Sequence, residues 1–169
     1  MSKDILEKGA ILQRDRETFA IAPQTPGGIV SAIGPCVRSI KICPGTTFCK
    51  RGQQDAVTLG LELDEKYHGM QLPSKFKIAV SGCMNSCSEP AVRDIGIMGT
   101  PKGYTVMVGG NAGIRPRLGD VIADEQNDDE VKELVDKIVS FYKTHAKKHR
   151  IGRMIDDMGL ENFKREIGL

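Results

Sequence analysis

Apolar positions along the chain recur in two rhythms, and each predicts its own kind of element. After Gly52, the residues Ala56, Leu59, Gly60 and Leu63 fall at i, i+3, i+4 and i+7. This spacing predicts a helix running to about Tyr67 and broken by "HGMQLP". A longer stripe follows at Val131, Leu134, Val135, Ile138, Val139 and Tyr142, with Asn127 and Glu130 spaced as a capping box at its start. Residues 151–167 read as a shorter helical pair broken at Gly159. The two-residue rhythm appears in "SKFKIAVSG", where Phe76, Ile78 and Val80 share one face and Lys75, Lys77 and Ala79 the other, the pattern of a half-buried strand. "RDIGIMG" and "GYTVMVGG" read as two more strands joined in a hairpin at "GTPKG". "TFAIA" reads as a short strand before a turn at Pro26, Gly27 and Gly28, and "NAGIRPRLGD" as loop. Strands and helices are interspersed and no repeat is present, so the expected class is α+β: a mixed, largely antiparallel sheet with flanking helices. The expected organisation is an N-terminal strand and turn region over 1–31, a central domain over 32–126, and C-terminal helices over 127–169 packed on that same domain.

At 169 residues the chain is long enough to bury an ordinary core without covalent staples. No apolar run approaches a membrane span, and "MSKDILEKGA" has no apolar signal core, so a cytoplasmic protein without membrane contact is expected. A formal charge of +2 gives no general basic character for nucleic acid. The "KTHAKKHR" run, with His145 and His149, reads as a solvated helix face. Five cysteines in a reducing compartment point to metal ligands, a redox site or buried thiols rather than a disulfide framework. Cys43 and Cys49 enclose five residues in "CPGTTFC", and Cys83 and Cys87 enclose three in "GCMNSC". Structural zinc sites favour tighter pairs, whereas an iron–sulfur cluster is ligated at the corners of a larger body and accepts wider ones. The glycines of "CPG" and "SGC" leave room for backbone amides to approach sulfur. Spacing therefore favours a cluster, with zinc and buried or catalytic thiols still open. Cys36, the fifth thiol, reads as a small buried residue.

The order "CPGTTFC … GCMNSC", with "LPSKFKIAVSGC" as the strand leading into the second motif and "YTVMVGGNAGIRPRLG" and a C-terminal helix following it, resembles the siroheme- and 4Fe–4S-containing sulfite and nitrite reductases over about residues 33–163. The resemblance implies a siroheme and iron–sulfur fold in which Cys43, Cys49, Cys83 and Cys87 ligate a 4Fe–4S cluster and Cys87 bridges to siroheme iron. It implies that Lys50, Arg51, Arg115 and Arg117 meet siroheme carboxylates, with Asn85 and Asn111 as polar contacts. A planar guanidinium suits a carboxylate because it binds both oxygens. Arg38, Lys75 and Lys77 resemble residues that hold the substrate anion and supply protons; the other reading of the lysines is protection of an exposed edge strand. Met84 stands where many members have proline.

The expected function is therefore siroheme- and cluster-dependent reduction of sulfite to sulfide or of nitrite to ammonia. "VGGNAG" does not meet the dinucleotide pattern and no Walker sequence occurs, so electrons are expected from an external donor protein such as a ferredoxin. Only residues 29–42 separate the "PGG" turn from the first cysteine motif, where relatives carry a longer segment. The shortening suggests a homo-oligomer in which a second copy completes the site. It also keeps a rival reading in view: a cluster-only electron carrier or sensor on the same fold.

Overall fold

The structure, a computed structural model, describes the strands Ile11–Arg14 (β1) and Phe19–Ala22 (β2) and then residues 32–169. β1 and β2 pair antiparallel, and β2 covers most of the strand expected at "TFAIA". The Pro26–Gly28 turn and residues 29–31 lie outside the described residues. A five-stranded sheet forms the centre, with strands Lys41–Ile42 (β3), Ile78–Ser81 (β4), Ile95–Thr100 (β5), Gly103–Val108 (β6) and Asp120–Gln126 (β7) in that spatial order. β3, β4 and β5 run parallel, while β5, β6 and β7 pair antiparallel. The sheet is thus mixed, and its antiparallel part has the longer registers, as the α+β expectation requires.

Parallel neighbours need a crossover. Between β3 and β4 it consists of a single turn, Gly45–Phe48 (α1), and the helix Ala56–Tyr67 (α2). Asp55 caps α2 by accepting from the Thr58 amide, and Ala56, Leu59, Gly60, Leu63 and Tyr67 face inward as the periodicity predicts. Between β4 and β5 the crossover is the second cysteine loop itself. β5 and β6 form the expected hairpin around Pro101 and Lys102.

The helix Asp128–His145 (α3) begins in the predicted capping box, in which Asn127 accepts from the Glu130 amide and Glu130 from the Asn127 amide. Its whole predicted stripe is buried. Those residues meet Phe76, Ile78, Val80, Ile95, Ile97, Val106 and Val108 in one core, which also takes in Ile151, Ile155 and Phe163. The latter belong to Ile151–Met158 (α4) and Leu160–Glu166 (α5), separated at Gly159, whose φ of 86° is open to glycine.

Three features differ from the sequence reading. β4 is internal and buried on both faces, because Ala79 pairs with Gly96 and the Pro90–Val92 turn packs onto that glycine. It is neither a half-buried strand nor an edge guarded by lysines. β7 had no clear signature: its few apolar residues sit among acids, and its pairing to β6 shifts register between Tyr104, Val106 and Met107. Finally, α3 stops at His145, so "KTHAKKHR" is not one solvated helix face; its last residue, Arg150, is turned inward.

Candidate functional site

The sheet has two chemically distinct ends. At one, β3 and β4 finish side by side, with Lys41 beside Ala79 and Ile42 beside Val80, and their continuations deliver Cys43 and Cys83. The Cys43 amide donates to the Val80 carbonyl at 3.0 Å, extending the ladder by one step. Its sulfur accepts from the Gly82 amide at 3.0 Å and the Gly45 amide at 3.4 Å. These are the amides that "CPG" and "SGC" were expected to offer. Such N–H···S contacts stabilise a thiolate and tune a cluster it binds.

Close approach of these loops depends on missing side chains. A methyl group on Gly82 would lie 2.7 Å from the Gln54 carbonyl oxygen and 2.7 Å from Gly45 Cα; one on Gly45 would lie 2.8 Å from the Ala56 nitrogen. One on Gly52 would strike Gly45, and one on Gly99 would strike Gly82. Gly52, Gly45, Gly82 and Gly99 therefore form a backbone stack tying both cysteine loops to β5. The Gly82 carbonyl accepts from the amides of Gln53 and Gln54, and the Gln54 side chain donates to the Thr100 carbonyl at 2.7 Å. Ser81 and Ser88, both buried, share a 2.6 Å hydroxyl contact that closes the base of the Cys83–Cys87 loop. Gly52, Gly99, Gln54 and this serine clasp went unnoticed in the sequence, where only repeated small residues hint at them.

Cys43 and Cys83 are buried, Cys49 is half-buried and Cys87 is exposed. Among the described residues no three Cys, His, Asp or Glu side chains gather around a point that would hold one metal ion. A cubane is ligated at four separate corners, so four soft thiols on two converging loops, with amides already aimed at one sulfur, fit it. Lys50, Arg51 and Asn85 are exposed on these loops. Cys36 is fully buried, as expected, and burial pushes its thiol pKa up.

The opposite end gathers the cations. Lys75 and Lys77 precede β4, so the strand's own length, four residues or about 13 Å from Lys77 to Ser81, separates them from the cysteine loops. Arg38 joins them by donating its amide to the Phe76 carbonyl at 2.8 Å. Two residues that the sequence did not single out complete the group: Arg93 and Arg150, which with Lys75, Lys77 and Asn111 line a pocket of about 70 Å³. Asp94, whose side chain is 1% exposed, organises it. Arg150 grips both Asp94 oxygens, Nε to Oδ1 at 3.0 Å and an Nη to Oδ2 at 2.6 Å, and the Lys77 amide donates to Oδ2 at 2.8 Å. Burial pushes the Asp94 carboxyl up, opposed by Arg150 and the Lys77 amide. Burial and the surrounding arginines push Lys77 down.

The "NAGIRPRLGD" loop closes this end. Asn111 and Arg117 exchange backbone hydrogen bonds, and Asn111 Oδ1 accepts from Arg150 and from the Gly113 amide. Arg117 is engaged with Asp120, Asp156 and the Gly109 and Leu118 carbonyls, so it braces the loop. Arg115 remains exposed at the wall of a larger, neighbouring cleft. The structure therefore brings Arg38, Lys75, Lys77 and Asn111 together, and places the four cysteines, Lys50, Arg51 and Asn85 at the other end.

The family model for the nitrite and sulphite reductase 4Fe-4S domain matches residues 33–169. The chain belongs to this family. A sulfite reductase of the assimilatory type from Nitratidesulfovibrio vulgaris is 33% identical over 211 aligned residues, covering 95% of this chain and 97% of that protein. That alignment is longer than the 169-residue chain, so the relative carries tens of residues that this family member lacks. A nitrite reductase (NAD(P)H) from Emericella nidulans is 37% identical over 136 residues, which cover 79% of this chain but 12% of that much longer protein. In fold, the Mycobacterium tuberculosis NirA protein superposes with a TM-score of 0.71 at 22% identity, over 80% of this chain and 27% of that one. This nitrite and sulphite reductase family member is accordingly an oxidoreductase with a 4Fe–4S domain. Among the described residues, no helix is long and apolar enough to cross a membrane.

Proposed function

We propose that this protein is a siroheme- and 4Fe–4S-dependent reductase acting on sulfite, with nitrite as the alternative substrate, and that an external donor protein supplies its electrons. The observation carrying the reading is the convergence of the two cysteine loops at the ends of adjacent parallel strands, with the Gly45 and Gly82 amides on the Cys43 sulfur. Sulfite is preferred because the relative that the chain spans almost end to end is named a sulfite reductase.

Cys43, Cys49, Cys83 and Cys87 would hold the cluster, and Lys50, Arg51 and Asn85 stand nearest to meet siroheme. When bound, the two groups supply one-electron steps and an open iron for the anion. Reduction of sulfite to sulfide takes six electrons, and three oxygens leave as water, so the protein must neutralise an anion and deliver protons repeatedly. Arg38 and Lys75 suit the first task and Lys77 the second, since its depressed pKa makes its ammonium readier to release a proton.

Because Lys75 and Lys77 lie across the length of β4 from the cysteines of the same chain, this reading has the anion-handling end of one copy serve the cysteine end of another. We therefore propose a homo-oligomer. Sedimentation of the active protein is expected to give a dimer or larger species; a fully active monomer would remove this arrangement.

The missing internal residues favour one rival, a cluster-only electron carrier. Protein purified without oxygen from a siroheme-producing host decides between them. Siroheme absorption bands with cluster iron and acid-labile sulfide, all lost in Cys43→Ser, are the expected result. Cluster iron without siroheme would select the carrier.

A further inference from the structure

We propose that the junction between the N-termini of α2 and α3 is a binding site for one hydrated divalent cation of the magnesium class, held by Asp128 and Asp55, with the Tyr104 phenol joined to its water shell. The site does not depend on the reductase reading.

Strand pairing and ion pairs bring the three residues together. Tyr104 stands opposite Gly99 on one side and Gln126 on the other, and its ring belongs to the core that Val106 and Val108 share with α3. Gln126 leads through the cap Asn127 directly into Asp128, the first residue of α3. Lys132 ties the start of α3 to α2, bonding Asp129 at 2.8 Å and Glu62 at 3.0 Å, and Asp55 is the N-cap of α2. Burial pushes the Tyr104 phenol pKa up, and after burial come the charges of Asp128, Asp55 and Cys43.

Unused polar groups converge there. The Tyr104 side chain is fully buried, and its hydroxyl has no hydrogen-bond partner among the described residues. Buried hydroxyls are nearly always paired, so this one marks a place for a polar ligand. Asp128 makes no hydrogen bond or ion pair through its carboxylate among the described residues; burial pushes its pKa up, Lys132 opposes the rise, and Glu62, Asp55 and Asp129 add to it. Lys132 is already taken by Glu62 and Asp129, and Asp55 has neutral donors, the Thr58 amide and the hydroxyls of Thr58 and Thr47. Two carboxylates thus lack a counter-ion beside a buried polar atom, which favours a cation. Helix dipoles account for acids at both N-termini, but not for the unpaired phenol.

Donor chemistry selects the ion. Carboxylate and phenol oxygens are hard donors, unlike the thiolates and imidazoles that hold softer metals. Among the described residues no three acids meet at one point, so most of the ion's shell is water. Mg²⁺ is commonly held in this way, through one or two carboxylates with several waters retained, and the phenol O–H can donate to one of those waters. A cation here also offsets the negative charge that a cluster places on the neighbouring Cys43 loop.

Mn²⁺ is the probe, because it replaces Mg²⁺ in oxygen sites and the free ion gives a room-temperature EPR signal that broadens away on binding. Titration of the anaerobically purified full chain is expected to show one bound Mn²⁺ per chain, displaced by excess Mg²⁺. Asp128→Asn should weaken Mn²⁺ binding about tenfold or more, and Tyr104→Phe about threefold or more, at unchanged iron content. Glu133→Gln, which removes an equal charge from an exposed acid further along α3, should leave affinity as in the wild type. Tyr104→Phe keeps the ring, so without Mg²⁺ its Tm should equal or exceed that of the wild type. Saturating Mg²⁺ should raise the Tm of the wild type and leave that of Asp128→Asn unchanged. Unsaturable Mn²⁺ binding, or equal losses in Asp128→Asn and Glu133→Gln, would reduce the acids to a diffuse ion atmosphere and overturn the proposal. Wild-type affinity in Tyr104→Phe would overturn it too, since the phenol would then take no part.

Discussion

Replacing Gly82 by alanine is expected to abolish cluster assembly while leaving the fold in place. The added methyl would sit 2.7 Å from both the Gln54 carbonyl oxygen and Gly45 Cα, and each obstacle is backbone that no rotamer change can clear. Relief requires the Cys83 loop to withdraw from the Cys43 loop. That motion breaks the Gly82 amide's contact with the Cys43 sulfur and separates thiolates that a rigid cubane needs at fixed corners. Overpacking of this kind costs about 1–3 kcal/mol in stability, which a domain with this core survives. Bound iron and acid-labile sulfide should fall to a small fraction of wild type, with circular dichroism little changed. Gly69→Ala is the matching control. Its φ of 75° strains an alanine, yet nothing crowds the position, so it should lose about 1–2 kcal/mol and keep its iron. Full iron content in Gly82→Ala would show that the glycine stack does not govern cluster binding.

The parts of this fold legible in the sequence are those whose signal is local. The stripes of α2 and α3 repeat within a few residues, and the α3 capping box spans four positions, so composition and spacing expose them directly. Cysteine spacing likewise pointed to a cluster because each pair lies on one short loop. What stayed hidden depends on partners far along the chain. Ala79 is buried by Gly96 and the Pro90–Val92 turn, which the alternation around it could not reveal. Arg150 closes on Asp94 across 56 residues, so it looked like the tail of a basic run. Lys77 and Cys83 are close in sequence, yet an extended strand between them sends the two groups to opposite ends of the sheet.

Removing the charge of Asp94 is expected to be the most destabilising conservative change at the cationic end. Asp94→Asn leaves Arg150, itself only 19% exposed, facing Lys75, Lys77 and Arg93 without its bidentate partner. Breaking one half of a buried ion pair costs about 3–5 kcal/mol, because the remaining charge stays desolvated and unpaired. For a chain of this size that corresponds to a fall in Tm of roughly 10 °C. Asp156→Asn supplies the contrast: its pairing with Arg117 is more than half exposed on the acid side, so a loss below about 1 kcal/mol is expected. The cause can be separated from simple packing by removing both charges. In Asp94→Leu combined with Arg150→Met no uncompensated buried charge remains, and most of the lost stability should return, although sulfite binding should not. A double variant as unstable as Asp94→Asn would mean that Asp94 acts by shaping the entry to β4 through the Lys77 amide rather than by balancing charge.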